Sequence, residues 1–166
     1  MMGHLMAIPL TFVTVALAMG ADFPLLKVEA VVAGQQCKVS VSRSDQVGLR
    51  TDYWGTDGAI PVHAVSGVHI TVDGVEWSCP REAFQDLAEV RYDTQVEFDK
   101  EADKGSVVLV IRGGDGAGAY AARLTLIETR IASREITSGG GFVTETVKWR
   151  DGIVASRMYA NSYRAK

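Results

Sequence analysis

Two Asp-Gly pairs, Asp73-Gly74 and Asp151-Gly152, each stand between runs in which apolar and polar residues alternate. Asp-Gly supplies consecutive positive φ angles, the requirement of a two-residue type I′ turn, whose twist matches that of the strands it joins. Alternation with period 2 is the pattern of a strand with one buried face and does not suit a helix. The chain is therefore committed to antiparallel hairpins at two well-separated places. In the first, pairing Val72 with Val75 sets Ile70 opposite Trp77 and Val68 opposite Cys79. These six side chains then share one face, and His69, Thr71, Glu76 and Ser78 take the other. In the second, residues 143–150 and 153–159 flank the turn, Arg150 faces Ile153, and Trp149 faces Val154.

Further strands are expected over residues 25–32, 36–42, 92–98, 107–112 and 120–127, each bounded by Gly, Asp or Ser. Residues 107–111 read Val-Val-Leu-Val-Ile, apolar on both faces, and so belong to a strand inside a sheet. One short helix is expected over residues 80–88, with Pro80 in its first turn and Phe84, Leu87 and Ala88 on one side. Residues 45–65 alternate weakly and contain Tyr53, Trp54, Gly55, Asp57, Gly58 and Pro61. They read as a long connection with a short edge strand near 60–63. The fold class is mainly β: a single-domain antiparallel β-sandwich or barrel of about 8–10 strands. The chain has 166 residues, no repeat and no linker that would divide it, so residues 21–166 are expected to form one all-β domain.

The start of the chain is of another kind. Residues 5–19 carry no charge and run into Gly20 and Ala21, the pattern of a signal peptide over residues 1–20, although residues 1–4 contain no Lys or Arg. As a helix this apolar run would reach about 22 Å, short of the roughly 30 Å hydrocarbon core of a bilayer. The expectation is an exported protein, periplasmic or extracellular, whose mature chain has no stable membrane insertion. No Cys follows the apolar run to accept a lipid.

Lys and Arg number 17 against 20 for Asp and Glu, with no dense basic cluster, which argues against a nucleic-acid partner. Cys37 alternates with Val39 and Val41 as Cys79 does with Trp77 and Val75, so both sulfurs are expected to face the interior. In an oxidising compartment they are expected to form a disulfide. That pairing leaves no Cys nucleophile. His63 and His69 lie in no Gly-x-Ser-x-Gly elbow and no His-x-x-x-His pair, so neither a serine triad nor a zinc site is signalled. Residues 99–105 space acidic groups as a calcium loop does, but the sixth position is Lys104 and the twelfth Val110. No cofactor or metal is expected.

The run from Arg112 to Tyr120 is glycine-rich, but no Gly-Lys-Ser or Gly-Lys-Thr follows and a strand comes next, so it is not a phosphate loop. Loops on a rigid β scaffold often carry recognition. The candidate ligand- or partner-binding residues are therefore Asp115, Arg112 and Tyr120 in this loop, with Tyr53 and Trp54 in the long connection. The favoured function is a non-catalytic exported module that binds a protein partner or small ligand, an inhibitor- or immunity-like protein being one form. The alternatives are a small secreted hydrolase using carboxylates or His63, and a structural envelope protein that associates through a strand edge. Export has a direct check. N-terminal sequencing of the protein recovered from the cell envelope or medium should find a chain that begins between Met19 and Asp22, and an intact Met1 in a cytosolic fraction would contradict it.

Overall fold

The computed structural model describes residues 25–45, 47, 52–99, 102–103, 105–141 and 143–161. The expected leader, residues 1–20, lies outside them. The first sheet is a meander of β1 (Leu26–Val32), β2 (Gln35–Ser44), β3 (Ala64–Val72) and β4 (Val75–Trp77), in spatial order β1-β2-β3-β4. The second is a meander of β5 (Val96–Phe98), β6 (Ser106–Gly113), β7 (Tyr120–Ile127), β8 (Arg130–Ser138), β9 (Val143–Arg150) and β10 (Ile153–Asn161), in order β10-β9-β8-β7-β6-β5. Every pairing is antiparallel, and the two sheets make a sandwich and not a closed barrel.

The hairpins follow from local chemistry. Asp73-Gly74 and Asp151-Gly152 take φ of +50° with +80° and +52° with +79°, as a type I′ turn requires. Val72 faces Val75, Ile70 faces Trp77, Arg150 faces Ile153 and Trp149 faces Val154. His69 is exposed on the outer face, and Val68, Ile70, Val72 and Trp77 are buried. β6 lies between β5 and β7 with Val107 to Ile111 all buried, so both its faces are covered.

Several expectations are corrected. Residues 80–88 are not a helix: only Arg81–Ala83 makes a single 3-10 turn, and Phe84, at φ −140°, ends it. The apolar spacing there reflects burial between two sheets, which hides Ala83, Phe84, Leu87 and Ala88 whatever the backbone does. The strand expected from residue 92 begins only at Val96, because the Gln95 side-chain oxygen accepts from the Arg91 and Tyr92 amides and turns the chain. No strand forms near 60–63, and β3 starts at Ala64. β8 is an additional strand. It follows a two-residue turn, Glu128-Thr129, with φ of +50° and +71° but none of the Gly, Asn or Asp that announce one.

The disulfide is absent: both Cys37 and Cys79 are free. Register explains why. Cys37 sits opposite Val72, whereas β4 runs back from Val72 so that position 79 comes abreast of Val68. Four residues of strand are about 13 Å, well beyond the roughly 7 Å between Cα atoms that a disulfide tolerates. The Val68–Cys79 pair does not form either, because β4 ends at Trp77 and Ser78 bridges to Arg130 at the start of β8. Burial pushes both thiols up, Cys79 to about 12 and Cys37 with help from the charge of Asp73. Neither is a thiolate at neutral pH.

The largest fully buried side chain is polar. Arg134 of β8 points into the core, where Nη1 and Nη2 donate to both carboxylate oxygens of Asp86 at 2.6 and 3.0 Å, and Nη2 also donates to Glu145. Nη1 reaches the Ala83 carbonyl at 3.3 Å as well. Burial alone would lower the pKa of this guanidinium, but the hydrogen bonds and charges of Asp86 and Glu145 outweigh it and hold it above its ordinary value. Removing one member of such a set strands charge in the interior. Arg134→Ala is therefore expected to cost about 3 to 5 kcal/mol in urea unfolding, with Asp86→Ala close behind.

Candidate functional site

Residues 84–91 form neither helix nor strand, Leu87 and Ala88 are bridged to Trp54 and to Ala64 at the start of β3, and most of this segment is buried. A buried amide or carbonyl without a partner is costly, and beyond the Leu87 amide, which donates to the Phe84 carbonyl at 3.0 Å, the segment draws on groups outside itself. The Asp86 carbonyl accepts from the Trp54 amide at 2.8 Å, and the Leu87 carbonyl from the Val65 amide at 2.9 Å. The Ala88 amide donates to the Trp54 carbonyl at 3.0 Å, and the Ala88 carbonyl accepts from the Tyr120 hydroxyl at 3.1 Å. The Glu89 amide donates to the His63 carbonyl, and its own carbonyl accepts from the Gly114 amide at 3.3 Å. The Val90 carbonyl accepts from Arg43 Nη1 at 3.1 Å and from His63 Nε2 at 3.2 Å. The segment is thus pinned by β2, by the connection before β3, and by the loop between β6 and β7.

At its exit this segment presents a charged cluster. Glu89 is buried and takes φ +57°, a left-handed conformation uncommon for such a residue. Its carboxylate accepts from the Val62 amide at 2.6 Å and from Arg91 Nε and Nη2 at 3.3 and 3.1 Å. His63 Nδ1 lies 4.0 Å from the same carboxylate. On the solvent side Arg91 Nη1 comes within 3.9 Å of the exposed Asp115 carboxylate. Val62, whose amide Glu89 binds, and Tyr92, next to Arg91 in the chain, are exposed at 69% and 64%, and Ile60, two residues before Val62, at 54%.

The structure joins the two segments that the sequence marks separately. The rings of Trp54 and Tyr120 lie 6.4 Å apart, and a Cβ placed on Gly114 would come 2.8 Å from Gly55 Cα and 2.5 Å from the Gly118 carbonyl. A Cβ on Gly113 would collide with the Ala88 carbonyl at 2.4 Å. Glycine is used here for close approach of chain to chain. Tyr120 is interior, and burial chiefly pushes its hydroxyl pKa upward, so its part is to hold the 84–91 segment in place. Asp115 projects into solvent and its side chain makes no capping bond to the turn Gly116–Gly118. Arg112 is not its partner, since it pairs with Glu97 at 2.7 Å. Tyr53 and Trp54 are half-buried. Glu89, Arg91 and Tyr92 carry no sequence signal, because what gathers them is the path of an irregular segment.

A groove of about 430 Å³ runs beside the glycine loop, lined by Thr94, Gln95, Arg112, Tyr120, Thr137 and Ser138. A second hollow, about 640 Å³, opens near β3 and β4, lined by His69, Glu76, Trp77, Cys79 and Arg81. His63 is enclosed among backbone groups and lines neither. Among the described residues no three His, Cys, Asp or Glu side chains are grouped to hold a metal ion.

Comparison with known protein families, with curated proteins and with solved structures finds no match for this chain.

The junction of the two segments is testable at Gly114. At φ +70° and with no room for a methyl group, Gly114→Ala should lower stability by about 1 to 3 kcal/mol in denaturant unfolding. Gly116 has φ +49° but open space around it. Gly116→Ala should cost only the conformational part, about 1 kcal/mol.

Proposed function

We propose that this chain is an exported, non-catalytic binding module that takes a protein partner on the surface built from the Trp54 connection, Arg91 and Tyr92, and the loop from Arg112 to Tyr120. The observation that carries the reading is the fusion of two loops into one patch over the Glu89–Arg91 pair. Exposed Val62 donates its amide to Glu89, exposed Tyr92 follows Arg91 in the chain, and Arg91 reaches Asp115 on the solvent side. Protein interfaces are enriched in Tyr and Arg beside apolar groups, with charges at the rim that set specificity. The pinned segment beneath supports such a role, because a surface held rigid before binding loses little entropy on docking. A hydrolase would need its acid or base open to substrate, and His63 and Glu89 are enclosed and engaged with backbone groups. Among the described residues no helix is long and apolar enough to cross a membrane.

The test is capture of partners from the extracellular or periplasmic fraction by the mature domain, followed by titration of variants. Asp115→Ala and Tyr92→Ala should each weaken binding about tenfold while the melting temperature stays within about 2 °C, since exposed side chains contribute little to folding. Unchanged affinity in both would remove this surface from the reading. A parallel loss of stability in Asp115→Ala would mark its side chain as part of the turn.

A further inference from the structure

We infer that β10 is the contact strand of a symmetric dimer, pairing antiparallel with β10 of a second copy about a two-fold axis at Met158. β10 is the terminal strand of its sheet, and all nine of its residues are exposed. The reason lies in the sandwich. β1 lies against β5 on one side, and Ser78 after β4 bridges to Arg130 of β8 on the other, so the four-stranded sheet stops short of β10. Ile153, Met158 and Tyr159 are left 73%, 57% and 63% exposed. Proteins guard an open edge with Pro, Lys, short strands or bulges. β10 contains neither Pro nor Lys, its only charge is Arg157, and its bulge at Ala155 lies near the start.

The side chains select the register. Past the bulge, Arg157 and Tyr159 face Val147 and Glu145 of β9, which point to the core side, while Ser156, Met158 and Ala160 occupy the other face. An antiparallel strand paired with its own copy places one residue opposite itself and keeps each face on its own side. With Arg157 on the axis, like charges would oppose one another. With Ser156 on the axis, the bulge would fall inside the pairing and set Val154 against Met158 from opposite faces. With Tyr159 on the axis, Arg157 would stand opposite Asn161 and lose the aromatic ring. With Met158 on the axis, Arg157 stands opposite Tyr159 of the second copy, twice by symmetry, and Ser156 stands opposite Ala160. Each guanidinium then meets an aromatic ring on the face that carries Glu145, which lies 3.8 Å from Arg157 within its own chain. No residue of the proposed binding surface belongs to β9 or β10, so both copies keep it free.

Sedimentation velocity of the purified chain over a concentration series should show a monomer–dimer equilibrium. Met158→Lys and Met158→Asp each set like charges face to face across the axis and should weaken association about tenfold, with unchanged far-UV circular dichroism. An equimolar mixture of the two variants should restore the dimer, which a merely damaged fold would not do. A chain that stays monomeric throughout, variants that associate as tightly as the parent, or a mixture that remains monomeric would each overturn the proposal.

Discussion

A chain that crosses a protein interior without helix or strand must find a partner for each buried amide and carbonyl it carries. Residues 84–91 meet that requirement through Trp54, His63, Val65, Gly114, Tyr120 and Arg43, while Arg134 holds the segment by the Asp86 side chain and by the Ala83 carbonyl just before it. Its guanidinium binds the Asp86 carboxylate with both ends, takes the Ala83 carbonyl, and is balanced by Glu145 of the adjacent strand. A buried ion pair adds little net stability over an apolar replacement of the same volume, but it is directional where apolar packing is not. Here it ties the segment to β8 and β9 of the six-stranded sheet.

The loop end of the molecule inherits its shape from this anchoring. Once Asp86 is fixed, the Trp54 connection pairs with Asp86 and Ala88, Tyr120 closes on the Ala88 carbonyl, and Glu89 emerges in a left-handed turn beneath Val62 and Arg91. Gly55, Gly113 and Gly114 are then needed because the backbones approach within contact distance of one another. These contacts fix the loop end of the molecule, and on its solvent side Arg91 Nη1 lies 3.9 Å from the Asp115 carboxylate.

The two sheets are unequal, and the inequality has its own consequence. A four-stranded sheet cannot cover six strands, and the last strand of the larger one, β10, is left over. The residues of β9 that face the small sheet, Val147 and Trp149, are buried, while β10 meets solvent on both faces. An edge of this kind is stable only if something limits its pairing, and a two-fold axis does so by closing the assembly at two copies.

Much of the fold could be read directly along the chain. The two Asp-Gly turns, the facing of Ile70 with Trp77 and of Trp149 with Val154, and the burial of β6 on both faces are local matters. They depend on the φ values a residue tolerates and on the period of a strand, which neighbouring residues declare together. β8 was hidden because Glu128 and Thr129 adopt turn angles under tertiary constraint, and because an inward arginine breaks the apolar alternation. Of the candidate site, the two loops were legible through their glycine and aromatic content, but their union and the Glu89–Arg91 cluster were not. Nor was the separation of Cys37 from Cys79, since each faces inward as the alternation implies while the β2–β3 register holds them apart. Sequence by itself determined the two Asp-Gly hairpins, most of the other strands and the alternation of their faces, because backbone sterics and side-chain alternation act over a few residues. Only the tertiary structure decided how the hairpins are grouped into two sheets, what satisfies residues 84–91 and which charges meet. Those outcomes join groups as far apart as Asp86 and Arg134, whose encounter depends on how the whole core closes.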